Sequence, residues 1–132
     1  MKSNEFIILG NPIAQGRPRF ARRGNFVVTY DPEKSKEWKN EIIRQAVAQK
    51  AEVLEGALRV ELMFRMKRPK SLPKKVKYHI KKPDLDNLAK AVLDALSGIC
   101  YNDDSQIVSM GLFKSYVVDG QAPCVDIEIE EV

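Results

Sequence analysis

Near the middle of the chain, residues of opposite character alternate from Leu58 to Met66. Leu58, Val60, Leu62, Phe64 and Met66 share one parity, and Arg59, Glu61, Met63 and Arg65 share the other. A period of two belongs to a strand with one face in a core and the other in solvent. A parallel sheet covered on both faces reads instead as a continuous apolar run, so the alternation excludes that class here. The same pattern returns at Val125, Ile127 and Ile129. Two helical patterns flank the central strand. Asp31 is placed as an N-cap, with Pro32 at the first helical position and Glu33 in the first turn. Trp38, Ile42 and Ala46 follow at helical spacing, with Ile43 and Val47 widening the stripe, and the pattern fades before Gly56 after about five turns. Leu85, Leu88, Val92, Leu96 and Ile99 mark a second amphipathic helix that stops near Gly98.

The remaining elements are strands and loops. Glu5 to Leu9 reads as a strand running into a turn at Gly10, Asn11 and Pro12, and Phe26 to Tyr30 as a second short strand or an extended approach to a helix. Ile107 to Val118 and Val125 to Ile129 are strands joined by a turn over Gly120 to Pro123. A length of 132 residues supports one core. The predicted fold is α+β: a mixed, largely antiparallel sheet with two main helices packed on it, in a single domain over 1–132. Basic loops are expected at about 10–25 and 66–83. The second has too little apolar content to pack and is predicted to be long and mobile.

Hydrophobic residues at 44% and charged residues at 30% exclude disorder, collagen-like and low-complexity classes. Cys100 and Cys124 are too few for a zinc site or a disulfide scaffold, which predicts buried thiols in a reducing compartment. Phe6 to Leu9 is too short for a signal peptide or a membrane span, so the expected location is the cytoplasm, without membrane contact. The net charge of +4 hides a strong asymmetry. Residues 1–82 carry 20 basic and 8 acidic side chains, whereas 83–132 carry 2 basic and 10 acidic. A basic body suggests an anionic polymer, and a separate acidic third suggests a metal.

The acidic third opens with KPDLDNLAKAVLDALSGICYNDDSQIV. Pro83 biases the residue before it toward extended chain, and the helical pattern begins just after, so Asp84 and Asp86 lie where extended chain becomes helix. In extended geometry they point the same way, and two carboxylates converging on one cation suit Mg²⁺, with Mn²⁺ as the alternative. Asp86 or Asn87 also reads as a helix cap, which accounts for one of these residues but not for Asp84 and Asp86 together. Lys90 and Asp94 each follow by one turn on the same face, an arrangement a surface ion-pair ladder also produces. Asp103 and Asp104 sit in a turn before a strand, from which a carboxylate is expected to swing back to the start of the helix. Adjacent residues point apart, so one reaches the metal and the other shapes the turn or supports the site from behind; the residue types leave the choice open.

These segments resemble the RusA family of Holliday junction resolvases, found in bacteria and their prophages. The likeness is carried by KPDLDNLAKAVLDAL, the following tyrosine and DDSQI, and by GNPIAQGRPR near the N-terminus. It implies a Mg²⁺-dependent, homodimeric endonuclease that cuts four-way DNA junctions. The family's metal-binding carboxylates fall on Asp84, Asp86 and Asp104, and its essential lysine on Lys90. Asp103, Asp94 and Asn87 are then candidates for supporting positions. The chemistry agrees: a cation held by carboxylates activates water and polarises a phosphodiester, while a lysine neutralises developing charge. A two-fold dimer with two sites suits a junction of near two-fold symmetry.

DNA binding falls to Arg17, Arg19, Arg22 and Arg23, and to Lys67, Arg68, Lys70, Lys74, Lys75, Lys77, Lys81 and Lys82. Proline and glycine between them fit loops that follow a phosphate backbone without reading bases. Phe20, Phe26 and Tyr78 are weighed as stacking groups against a commoner role in the core. His79 reads as solvated, not as a general base. No motif points to an organic cofactor. Two other readings compete: a non-catalytic junction or duplex DNA-binding protein of phage origin, and another D-x-D metal enzyme acting on nucleotides or sugars. The intact set of matched acidic residues speaks against the first, and the density of basic residues in 59–82 against the second.

Overall fold

The computed structural model describes residues 2–16, 22–23, 26–27, 32–118 and 120–132. Its elements are β1 (Ser3–Leu9), β2 (Arg22–Arg23), β3 (Phe26–Val27), α1 (Pro32–Ala48), β4 (Leu58–Met66), α2 (Leu85–Leu96), a 3₁₀ turn (Asp104–Gln106), β5 (Ile107–Tyr116) and β6 (Cys124–Glu131). Four strands form one sheet in the order β1-β6-β4-β5, and β2 pairs with β3 in a second, two-stranded sheet among the described residues. Within the larger sheet β1 and β4 run antiparallel to β6, and β5 runs parallel to β4. A parallel pair needs a crossover, and the chain between β4 and β5 supplies it with α2. The sheet is thus mixed and largely antiparallel with two helices packed on it, as the sequence predicts; both helices lie on one face, and the last two strands, joined by the turn over Gly120 to Pro123, form no hairpin because β4 lies between them.

The alternation seen in the sequence sets the two faces. Val60, Leu62 and Phe64 of β4 stand opposite Ile129, Ile127 and Val125 of β6. All six are buried under the helices together with Phe6 and Ile8 of β1. From α1 come Trp38, Ile42 and Ala46, and from α2 Leu88, Ala91, Val92, Ala95 and Leu96, which join the same core. Removing a side chain such as Leu62 from water contributes about 1.5–3 kcal/mol. Gly10 lets the chain leave β1 against α1. Its φ is +138°, and a Cβ there would lie 2.7 Å from the Trp38 ring. Asn4, buried in β1, uses both ends of its amide on the Glu52 backbone, at 2.7 and 3.0 Å, and ties the segment after α1 to the sheet edge.

The other parity faces outward. Across it, Glu5, Glu128, Glu61 and Gly111 stand side by side on β1, β6, β4 and β5, a row of three neighbouring glutamates. Ion pairs flank the row, Arg65 to Asp126 at 2.6 Å and Arg59 to Glu130. Like charges placed directly opposite are unfavourable in a sheet, and the flanking arginines offset part of that cost.

Several expectations need adjustment. Val47 does not widen the core stripe of α1; it is exposed, while Ser35 is buried at the helix's other end. The strand expected to reach Val118 ends at Tyr116. Of the second short strand, Phe26–Val27 pairs with Arg22–Arg23; Val28, Thr29, Tyr30 and the proposed cap at Asp31 lie outside the described residues. Both cysteines are free and buried, and burial pushes the Cys100 thiol up to about 12. No helix among the described residues is long and apolar enough to cross a membrane.

Candidate active site and nucleic-acid interface

Asp84 is the N-cap residue of α2, with the extended backbone usual at a helix start (φ −70°, ψ 145°). An aspartate there ordinarily accepts from the first-turn N–H groups. Here the side chain makes no cap hydrogen bond, and only the backbone carbonyl is engaged, by the Leu88 N–H at 3.1 Å. Asp86 lies in the first turn, where the positive end of the helix favours a carboxylate. Both are exposed. Residues 11–16 cross this end of the helix, and the Gln15 N–H donates to the Asn87 carbonyl at 3.0 Å. Gln15 Oε1 and Asn87 Oδ1 are buried acceptors with no donor among the described residues. Gln15 therefore lies against the end of α2 that carries the two carboxylates. Arg17 and Arg19 lie outside the described residues, and of Arg22 and Arg23 only the β2 backbone is described.

The ladder of charges along α2 does not close on itself. Asp94 pairs with Lys39 of α1 at 3.6 Å, bracing the two helices. Lys90 is exposed and makes no ion pair among the described residues, one turn beyond Asp86.

Asp103 and Asp104 divide their roles. The Asp103 carboxylate accepts from the Ser105 N–H at 3.1 Å, and the Ser105 hydroxyl first, then this N–H, hold it below the usual carboxylate range. Gln106 completes the cap by accepting from the Asn102 and Asp103 N–H groups at 2.8 and 3.0 Å, while its Nε2 donates to the Leu54 and Gly56 carbonyls. Asp103 thus shapes the turn, and Asp104 beside it is exposed. The turn, however, lies at the far end of α2. Tyr101, just before it, donates its hydroxyl to the Leu93 carbonyl. A helix of 12 residues is about 18 Å long. Within one chain Asp104 is therefore a helix length from Asp84 and Asp86, and the expected swing back to the start of the helix does not occur. Among the described residues no three Asp, Glu, His or Cys side chains lie close enough together to hold a metal ion.

The basic segment between β4 and α2 is more ordered than its composition predicts. Arg68 turns inward, donating to the Val76 carbonyl at 2.7 Å and to that of Pro73, with its guanidinium 5.8 Å from the Tyr116 ring centre. Leu72 and Val76 pack against the core. Tyr78 bridges to Ser115 at the outer edge of β5, and the Tyr116 N–H donates to the Lys77 carbonyl at 2.9 Å. His79 is not solvated: its ring lies against Tyr116 with centroids 4.9 Å apart. Burial, and then the Lys114 charge, hold its imidazole below the usual histidine range. The seven lysines at 67, 70, 74, 75, 77, 81 and 82 are all exposed. Three of them, Lys67, Lys70 and Lys74, line a groove of about 570 Å³ that runs to Asn11 and Gln121.

One residue of the site escaped the sequence reading. Lys114 Nζ donates to the Lys81 and Pro83 carbonyls, both at 2.8 Å, and so fixes the approach to Asp84 against β5. Its signal was faint: it is the sole charged residue between Ile107 and Val118. Lys114 shares the helix-bearing face of the sheet with Leu112 and Tyr116, opposite the row of glutamates. The sheet thereby separates a basic side, carrying Asp84 and Asp86, from an acidic one.

A basic surface meeting paired carboxylates at a helix start is the equipment of a protein that works on nucleic acid. Residues 10–130 match the family described as "Endodeoxyribonuclease RusA", and the chain belongs to that family of DNA endonucleases. It is also 34% identical, over 97% of its length and 96% of the relative's, to a protein of Bacillus subtilis (strain 168) described as "Uncharacterized protein YqaN".

Proposed function

We propose that this protein is a Mg²⁺-dependent endonuclease that resolves four-way DNA junctions as a homodimer. The observation that carries the reading is Asp84: an aspartate at a helix N-cap whose carboxylate does no capping, two residues from Asp86, at the foot of a loop with eight basic and no acidic residues over 67–83. Hard carboxylate oxygens at that position suit Mg²⁺ or Mn²⁺. A divalent cation bound there supplies an activated water and polarises the phosphate. Lys90, exposed one turn along the helix, faces the charge that develops on the phosphate oxygens. The loop lysines hold the DNA backbone and bring the scissile phosphate to Asp84.

Asp104 enters the site from the partner subunit. The outer edge of β5 is unpaired from Ile107 to Lys114 among the described residues, and Val108, Met110 and Phe113 are exposed on it. An apolar edge of that length is a template for strand pairing. Antiparallel pairing of two such edges about a two-fold axis carries the turn at Asp104, just before β5, toward the end of the partner's β5 that lies beyond its unpaired stretch. That position adjoins the lysine that grips Pro83, so the partner's Asp104 approaches Asp84 and Asp86. Two such sites related by a two-fold suit paired incisions.

The test is incubation with a synthetic immobile four-way junction and a matched linear duplex, with and without Mg²⁺. Paired symmetric nicks on the junction alone, lost when Mg²⁺ is withheld, are the expected result. Binding with a steep salt dependence but no product would favour the non-catalytic DNA-binding reading.

A further inference from the structure

We infer that Tyr78 and Ile80 form an apolar wedge that enters the branch point of the bound DNA and stacks against a base exposed there. The inference rests on the junction-nuclease reading and adds to it a determinant of selectivity.

Ile80 is 91% exposed and Tyr78 71%, the two most exposed large apolar side chains among the described residues. Neither projects from a slack loop. The Lys77 carbonyl accepts from the Tyr116 N–H, Tyr78 bridges to Ser115, and the Lys81 and Pro83 carbonyls accept from Lys114 Nζ. Between them His79 turns inward against Tyr116. In extended chain alternate residues point to opposite sides, so the anchoring of His79 drives Tyr78 and Ile80 outward together. The backbone thus holds two apolar groups in water at a defined place, an arrangement that folding by itself does not reward.

Their surroundings select the partner. Lys77, Lys81 and Lys82 are exposed beside them, and no acidic residue occurs between Arg68 and Pro83. Asp84 follows four residues after Ile80. A group in that place meets the part of the DNA that is close to the cut. Aromatic rings stack on bases of any sequence, and isoleucine is among the residues that insert between base steps. Insertion into continuous duplex requires unstacking a step, whereas a branch point already interrupts the stack. The same two side chains therefore favour branched over linear DNA, while the lysines hold phosphates of either.

Ile80→Ser and Tyr78→Ala test this, singly and together, with 2-aminopurine placed at the branch point or at the matched position of a linear duplex. Fluorescence and binding are read without divalent cation, and cleavage with Mg²⁺. The wild-type protein is expected to raise the 2-aminopurine signal on the junction and not on the duplex. The double variant should lose that rise and bind the junction about tenfold more weakly, with duplex affinity changed less than twofold. Full retention of the rise and of junction preference in the double variant would overturn the wedge even if Mg²⁺-dependent nicks appear. A wild-type signal that the variants lose, with no Mg²⁺-dependent product, would leave the wedge standing and remove the nuclease reading. A third arm uses vesicles rich in phosphatidylserine. Ile80-dependent sedimentation with them, alongside an unchanged 2-aminopurine signal, would assign the two side chains to a membrane surface and overturn the proposal.

Discussion

Lys114→Met is the perturbation that best separates a positioned site from a merely charged one. The lysine makes two charge-assisted hydrogen bonds of 2.8 Å, to the carbonyls of Lys81 and Pro83. Bonds to charged groups are worth about 1.5–3 kcal/mol each when buried. The bond to Lys81 is exposed and that to Pro83 only partly buried, so water replaces much of what is lost. About 1–2 kcal/mol for the pair is the reasonable figure, since methionine keeps the apolar stem. With a urea slope of about 2 kcal/mol/M, the midpoint followed by Trp38 fluorescence should fall by roughly 0.5–1 M at unchanged slope. If the loss is confined to the loop, opening of residues 67–83 becomes about 5- to 30-fold more populated. Trypsin cleavage at the loop lysines reads that opening directly. Nicking should weaken with it, because Pro83 leads into Asp84. A variant with the wild-type urea midpoint and the wild-type trypsin rate would refute the claim that Lys114 holds this approach.

Subunit mixing addresses the shared site. Asp84→Asn and Asp104→Asn homodimers should each bind junction DNA and fail to nick it, and co-refolding the two should restore single nicks in the mixed dimers; persistent inactivity would place all three carboxylates within one chain. The depressed imidazole of His79 makes folding favour the neutral ring, so between its folded pKa and about 6.5 the unfolded chain binds more protons. Stability measured by urea titration should be fully present above pH 6.5 and decline as the pH falls through the lower folded value, a slope that His79→Phe should flatten. Gly10→Ala introduces a Cβ 2.7 Å from Trp38 at a positive φ and should cost about 2–4 kcal/mol in the same titration. Leu62→Ala, which truncates a fully buried side chain, should cost about 2–5 kcal/mol.

Much of the architecture was legible because local chemistry and burial agree. The alternation over Leu58–Met66 determined a strand with one open face, and the stripes through Trp38 and Leu88 determined two helices to cover the other. Pro83 followed by an apolar stripe determined that Asp84 and Asp86 stand at a helix start. The density of lysine and arginine determined a basic exposed surface, because such charge cannot be buried. What the sequence could not express was the pairing between distant segments. Only tertiary structure set β5 parallel to β4 across α2, and that crossover carries Asp104 a helix length from Asp84, a separation invisible to residue spacing. It also converted the basic loop from a slack chain into an anchored one, since its ordering comes from carbonyls reached by Arg68 and Lys114 and from the Tyr116 ring. Composition counts apolar side chains, whereas these contacts join backbone oxygens to cations far away along the chain. The face of the sheet on which each charge lies depends likewise on strand register, which is why three glutamates from β1, β4 and β6 meet in one row without any trace of it in their separate sequences.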